Sequence, residues 1–388
     1  MEAAEEEGGP FELNGDQRAV QEMARSFAAK HVAPFALDWD LRHYFPVDII
    51  RQTGPLGFGG IYCSEEHGGS ALKRLDAVLI FEALAAACPG FSSFISIHNM
   101  AAWMIDTFGN DPQRRDFLPK LTSMEWLASY CLTEPGSGSD AAALKTKAER
   151  SGDHYILNGT KQFISGAGVS DLYIVMVRTG EGGPRGISAL IVPKDAPGLS
   201  FGPLEKKMGW LMQPTRQVIF ENCRVSVQNL LGREGGGFPI AMAGLDGGRL
   251  NIAACSLGGA QAAHEKALAY AAERQAFERP INQFQALQFK FADMETNLAA
   301  ARQLLYSAAA KLDARSADAT KWSAMAKRFV TDTCFEVANE ALQLHGGYGY
   351  LHDYGIEKLV RDLRVHQILE GTNEIMRIII ARHLIGRQ

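Results

Sequence analysis

Apolar positions recur at helical spacing through the first third of the chain. Val20, Met23, Phe27 and Ala28 form one stripe, and Asn14 or Asp16 is available to cap it. Residues 75–87 and 98–108 repeat the pattern, punctuated by Gly57-Phe58-Gly59-Gly60 and Gly68-Gly69. Near residue 126 the period changes. Tyr155-Ile156-Leu157, then Asn158-Gly159, then 160–164 predicts a hairpin, because Asn-Gly supplies the positive φ of a tight primed turn. Leu172-Tyr173-Ile174-Val175-Met176-Val177, 187–192 and 217–220 follow as β-rich runs between Gly, Pro, Asp and Asn. After Gly235-Gly236-Gly237 helical spacing returns. Residues 250–272, 287–312 and 319–344 are long, Ala-rich and apolar on one stripe, as bundle helices are. Gly346-Gly347 can stop the third of them, and a last amphipathic helix covers about 373–384.

The expected architecture is therefore α+β. Residues 1–10 read as a flexible acidic leader and 11–125 as an N-terminal helical domain. Residues 126–238 read as a middle β domain, barrel-like or sandwich, and 239–388 as a C-terminal four-helix bundle.

Composition narrows the function classes. At 46% hydrophobic and 21% charged, the 388-residue chain can bury a real core and is not disordered throughout. Removing Glu2, Glu5, Glu6 and Glu7 takes the formal charge from −5 to −1, so the body carries no strong field for a nucleic acid. No apolar run approaches the ~18 residues of a membrane span. The leader lacks Arg and an apolar stretch, so any targeting segment is expected to be absent or removed. Cys63, Cys88, Cys131, Cys223, Cys255 and Cys334 include no C-x-x-C pair, which suits reduced thiols rather than a disulfide framework or a metal site.

Four stretches could carry chemistry. Thr133-Glu134-Pro135-Gly136-Ser137-Gly138-Ser139-Asp140 offers backbone N–H groups and hydroxyls to an anionic or heteroaromatic ligand; a plain structural loop is the alternative. Gly136, Gly138 and Ala141 match G-x-G-x-x-A, but no βαβ alternation surrounds them, so a dinucleotide fingerprint is not the reading. Glu370 follows Ile368 and Leu369 and precedes a helix start that Thr372 can cap. Desolvated there, it would be a useful base; a solvated helix-end carboxylate is the alternative. His345 precedes Gly346-Gly347-Tyr348-Gly349-Tyr350, either a loop or a wall for a planar ligand, and His366 reads as structural. Asp246-Gly247-Gly248-Arg249 could meet a polar substrate or simply cap a helix.

Taken together these stretches resemble the acyl-CoA dehydrogenase family over nearly the whole chain. The matching pieces are Tyr130-Cys131-Leu132-Thr133-Glu134-Pro135-Gly136-Ser137-Gly138-Ser139-Asp140, Phe163-Ile164-Ser165-Gly166, Arg274-Gln275-Ala276-Phe277, Gln343-Leu344-His345-Gly346-Gly347 and Glu370-Gly371-Thr372-Asn373-Glu374. The resemblance implies FAD between the β domain and the bundle. Tyr130 to Ser139 and Phe163, Ile164 and Ser165 would line the flavin. Arg274, Phe284, Gln285 and Gln343 to Gly347 would reach it across a subunit interface, and Thr372, Asn373 and Glu374 would close the site. Ser139, Asp246, Gly247, Gly248, Arg249 and Arg382 would contact the acyl-CoA, with Glu370 as the catalytic base.

Ile95-Ser96-Ile97-His98-Asn99-Met100-Ala101-Ala102-Trp103-Met104-Ile105-Asp106 and Asp246-Gly247-Gly248-Arg249 resemble a short branched-chain branch of the family. This implies oxidation of isobutyryl-CoA to methacrylyl-CoA in valine degradation, with 2-methylbutyryl-CoA or butyryl-CoA as alternatives. Electron-transferring flavoprotein would take the electrons from a homotetramer built as a dimer of dimers. The location implied is the mitochondrial matrix in a eukaryote and otherwise the cytoplasm. A non-catalytic acyl-CoA-binding scaffold is the alternative of another class. Some relatives carry the base at the position matching Gly248, where glycine cannot act, which is consistent with Glu370 in that role.

Overall fold

A computed structural model describes residues 12–386; the expected leader at 1–10 lies outside the described residues. The N-terminal helices are α1 (Gly15–His31), α2 (Ala36–Arg42), α3 (Val47–Arg51), α4 (Arg74–Ala87), α5 (Pro89–Phe108) and α6 (Asp111–Thr122). Asn14 opens α1 with a capping box. Its side chain accepts from the Gln17 N–H while the Gln17 side chain accepts from the Asn14 N–H. Helices α4 and α5 are buried nearly all round, which marks them as interior elements rather than a surface layer.

The middle of the chain forms β1 (Ala128–Cys131), β2 (Lys147–Ser151), β3 (His154–Ser165), β4 (Leu172–Arg178), β5 (Ile187–Pro193), β6 (Leu199–Phe201), β7 (Thr215–Ser226) and β8 (Leu230–Leu231). They make one sheet in the order β6-β7-β3-β2-β4-β5-β8, and β1 joins it parallel to β4. Edge strands β6 and β8 do not pair with each other, so the sheet stays open and the barrel-like expectation is corrected. Strand β4 shows why its apolar run is continuous. Leu172, Ile174 and Met176 pack with α5 and α6, while Tyr173, Val175 and Val177 face a second core inside the β domain.

The Asn158-Gly159 hairpin is not formed. Strand β3 runs straight through both residues, with a register shift against β7 between Leu157 and Gly159. Gly159 has φ +148°, and a Cβ there would lie 2.5 Å from Thr146 Oγ1. The glycine therefore serves a bulge and a close approach. The tight turn sits earlier, at Gly152-Asp153, where Ser151 pairs with His154.

The C-terminal part comprises α7 (Gly237–Glu273), a hairpin of β9 (Gln275–Ala276) and β10 (Arg279–Pro280), then α8 (Gln285–Asp313), α9 (Ala319–His345), α10 (Ile356–Arg364) and α11 (Asn373–Ile385). Helix α7 begins well before residue 250, because Gly244, Gly247 and Gly248 interrupt the hydrophobic stripe without breaking the helix. Helix α9 packs on α7, α8 and α11, and ends at Gly346 with φ +59°. One core joins both helical regions: Phe27, Phe81 and Phe91 pack in the same cluster as Leu250, Leu305 and Val330.

His98 ties this core to the sheet. Its ring is fully buried, with Nε2 3.1 Å from Gly59 O and 3.0 Å from Leu121 O, while Nδ1 accepts from the Ala128 N–H at 3.0 Å. Two carbonyls at Nε2 and a donor at Nδ1 define the neutral Nε2–H tautomer, and burial pushes its pKa down to about 4. His98→Phe should lower stability by about 2–4 kcal/mol, since it leaves the Ala128 N–H and the Gly59 carbonyl buried without partners. Thermal or urea unfolding measures this, and an unchanged midpoint would refute the role.

Candidate active site

Glu370 lies in the link between a short turn at Val365–Gln367 and α11. It has φ +57° and Gly371 has φ +90°, so two successive residues adopt left-handed geometry, which costs a non-glycine residue about 1 kcal/mol. Thr372 then caps α11, its side chain accepting from the Ile375 N–H at 3.4 Å. This turn carries the Glu370 side chain against α7. A Cβ at Gly248 would come within 2.5 Å of Glu370 Oε2 and 2.9 Å of its Cδ. Gly248 is thus the seat of the carboxylate.

The carboxylate end is desolvated. Oε2 is buried with no hydrogen-bond partner, although the residue as a whole is only half-buried. Burial raises the Glu370 pKa to about 7, and the charges of Arg249 and Lys327 hold it from rising further. Tyr130 on β1 has a phenol oxygen that is likewise buried without a partner. Its pKa is raised by burial and then by the Glu370 charge. A base with a free oxygen and a pKa near neutrality is equipped to take a proton from a weak carbon acid.

Asp246 and Arg249 are committed within the protein. Arg249 Nη1 donates to Asp246 Oδ1 at 2.6 Å, and Thr320 Oγ1 donates to Asp246 Oδ2 at 2.7 Å. Arg249 Nε donates to the Glu370 carbonyl at 3.3 Å. The pair therefore braces the Glu370 turn. Gly247, one residue on, faces Arg74, whose guanidinium lies 3.7 Å from the Tyr62 ring centroid. Arg382 is exposed on α11.

The loop after β1 divides its residues between structure and exposure. Glu134 accepts from the Lys145 N–H at 2.6 Å, the Thr146 N–H at 2.9 Å and buried Lys161 at 2.8 Å, so its carboxylate clasps the loop. Ser137 Oγ donates to Asp140 O, and the side chains of Cys131 and Ile164 are buried in the β core. Leu132 and Thr133 are half-buried, while Pro135, Gly136, Gly138 and Ser139 are exposed. Phe163 stands 64% exposed with φ +60°. A cleft of about 260 Å³ lies between this loop and Thr146, Gly159 and Thr160.

A larger cavity of about 690 Å³ lies elsewhere, lined by Tyr270, Arg274, Gln343, Leu344, His345, Gly346 and Gly347 among others. It shares no residue with the first cleft. His345 turns inward: its ring stacks on Tyr270 at 4.5 Å, with Nδ1 2.7 Å from Ala341 O. Gly346 and Gly347 have no atom within 4 Å of a Cβ position, so their backbone is open. Phe284 and Gln285 open α8 and do not line the cavity, although Ile281 and Leu287 on either side of them do. Asn373 is spent internally, its amide donating to Thr331 and Asp332, whereas Glu374 is exposed. His366 is buried with Nδ1 2.6 Å from Ser256 Oγ, a packed structural histidine.

No sequence motif points to Lys327, Arg74 or Tyr62. A lysine amid the buried α9 positions Ser323, Ala324, Ala326, Val330 and Thr331 is a signal that could have flagged the first. Among the described residues no cluster of His, Cys, Asp and Glu could hold a metal ion.

Family models for the acyl-CoA dehydrogenase N-terminal, middle and C-terminal domains match residues 14–125, 129–223 and 235–385, and the chain belongs to the acyl-CoA dehydrogenase family. It is 58% identical to the mitochondrial isobutyryl-CoA dehydrogenase of Dictyostelium discoideum over 96% of this chain and 90% of that protein. Identity to the mitochondrial isobutyryl-CoA dehydrogenase of Bos taurus is 54%, with the same two coverages. The solved butyryl-CoA dehydrogenase of Megasphaera elsdenii superposes with a TM-score of 0.94 at 37% identity, covering 97% of this chain and 99% of that one.

Gly248→Ala separates placement from stability. The added methyl must displace the Glu370 carboxylate, and a displacement on the order of 1 Å should slow substrate oxidation roughly 100-fold. Folding stability should hold or rise by up to about 1 kcal/mol, because alanine favours helix. Unchanged turnover would show that the seat at Gly248 does not matter.

Proposed function

We propose that the chain oxidises isobutyryl-CoA to methacrylyl-CoA in valine degradation, with Glu370 as the base and FAD as the oxidant. The observation that carries this reading is the unpartnered, desolvated Glu370 carboxylate seated on Gly248, in a family of acyl-CoA dehydrogenases. The two relatives at 54% and 58% identity, both named isobutyryl-CoA dehydrogenase, support the choice of acyl group.

The residues present fit a flavin dinucleotide. Open backbone at Gly136 and Gly138, the hydroxyls of Thr133 and Ser139 and the exposed face of Phe163 suit a planar ring with a polar tail. Open Gly346 and Gly347 beside Arg274 suit a phosphate-bearing segment. When bound, FAD accepts the hydride that leaves the β-carbon. Glu370 Oε2 takes the proton from the α-carbon beside the thioester carbonyl, which turns a weakly acidic C–H into an enolate-like centre. The low-dielectric wall around Glu370 keeps water from the carboxylate and raises its basicity. Gly248 leaves the space into which the base projects, and Ser139 and Arg382 are assigned to the acyl-CoA.

The separation of the two cavities supports a homotetramer, a dimer of dimers in which a second subunit's Arg274, Phe284, Gln285 and Gln343 to Gly347 complete the FAD site. Phe277 at 89%, Tyr350 at 83% and Ile385 at 72% exposure supply apolar surface for such contacts. Electron-transferring flavoprotein is the proposed acceptor. The mitochondrial names of the two relatives support the matrix if the source is a eukaryote. Among the described residues no helix is long and apolar enough to cross a membrane.

Purified protein should be yellow, and isobutyryl-CoA should bleach its flavin band anaerobically faster than butyryl-CoA or 2-methylbutyryl-CoA. Glu370→Gln should keep the flavin and abolish bleaching; bleaching at the original rate would place the base elsewhere. Because Glu370 must be ionised to act and its pKa is raised to about 7, the bleaching rate should climb as pH rises through about 7. A profile flat from pH ~5 to ~8 would contradict the desolvated base.

A further inference from the structure

Lys327 lies in the N-terminal third of α9 with no exposed surface, and the reaction as described does not use it. A buried ammonium is costly unless its three N–H donors find acceptors. Here Nζ donates to Gly371 O at 2.8 Å and to Asn373 Oδ1 at 2.8 Å. No carboxylate lies within ion-pair distance of it among the described residues. The Asn373 amide is in turn held by Thr331 and Asp332. The ammonium is thus built into the backbone of the turn that presents Glu370.

That turn needs holding. Glu370 and Gly371 both have positive φ, and the conformation is unfavourable for a glutamate. The Gly371 carbonyl belongs to the next peptide of this turn, so fixing it limits how far the turn can relax. The Glu370 carbonyl is tied to Arg249 on α7, and the next carbonyl, Gly371 O, is tied to Lys327 on α9. Two helices therefore grip successive peptides of one strained turn.

We propose that Lys327 is a positioning residue for Glu370: its ammonium fixes the Gly371 carbonyl and so aims the base at the substrate carbon. The inference rests on the reading of Glu370 as the base. The charged groups facing Lys327 are Glu370 from the turn, Arg249 from α7, Asp332 from its own helix and Glu374 from α11. Burial, opposed by the Glu370 charge, brings the Lys327 pKa down to about 7, so the two groups titrate in the same range. In the protonated form Lys327 favours ionised Glu370; without it, Arg249 is the one cation left to restrain the rise.

The test compares holoenzymes of wild type, Lys327→Gln and Lys327→Arg by flavin content, thermal midpoint and the pH dependence of anaerobic bleaching with isobutyryl-CoA. Lys327→Gln should retain flavin, while the acid limb of its rate profile moves up by ~1 pH unit, a loss of up to ~10-fold below the limb. Lys327→Arg, whose charge is permanent, should place the limb at or below the wild-type position. A glutamine variant with an unmoved limb and only a lower melting point would make Lys327 purely structural and overturn the proposal. If that variant does not fold, the arginine variant decides, since a limb above wild type overturns the proposal equally. Bleaching by Glu370→Gln in the same assay would instead refute the base itself, so the two failures are distinguishable.

Discussion

The site depends on one local constraint, a left-handed turn at Glu370 and Gly371 pressed against a helix that lacks a side chain at Gly248. The turn projects the carboxylate into α7, and the missing Cβ admits it. Neither feature suffices alone. An extended residue 370 would point elsewhere, and any side chain at 248 would meet the carboxylate at 2.5 Å. Removal from water does the rest, because a carboxylate with an unpartnered oxygen binds its proton more tightly than one in solvent. Arg249 and Lys327 moderate that effect, leaving the group near neutrality rather than permanently protonated.

The larger fold serves to keep α7, α9 and the turn in register. The N-terminal helices do not form a separate core. Phe81 and Phe91 pack into the same cluster as Leu250 and Val330, which makes the two helical regions one mechanical body. The sheet is attached through β1 and β4, whose outward residues pack on α5 and α6, and through the His98 ring that binds three backbone segments. Tyr130 and the loop beyond it are thereby held near α7 without belonging to the helical core. Buried Lys161 paired with Glu134 gives that loop its shape. Gly136, Gly138 and Ser139 of that loop are left exposed.

The glycines do different physical jobs. Gly248 seats a carboxylate, Gly159 lets β3 bulge past Thr146, and Gly346 and Gly347 leave backbone open beside Arg274. These are positions where absent atoms matter more than present ones. They explain why the segment around 244–248 hides the start of α7 from a hydrophobic-period reading.

The sequence by itself determined the order of helices, sheet and helices, because periods of 3.6 and 2 follow from backbone geometry and survive any tertiary arrangement. It also singled out Glu370 beside Gly371 and the Thr133–Ser139 loop, since those residue types are costly or mobile unless a ligand or reaction uses them. The Asn158-Gly159 turn failed because local preference for a primed turn yielded to pairing along the full length of β3 with β7. The sheet's open edges, the inward commitment of Asp246 and Arg249, and the burial of Lys327 against the Gly371 carbonyl were decided only by tertiary structure. Each depends on contacts between residues distant in the chain, such as Lys327 with Gly371 or Gly248 with Glu370. No local pattern encodes which buried charge will meet which carbonyl.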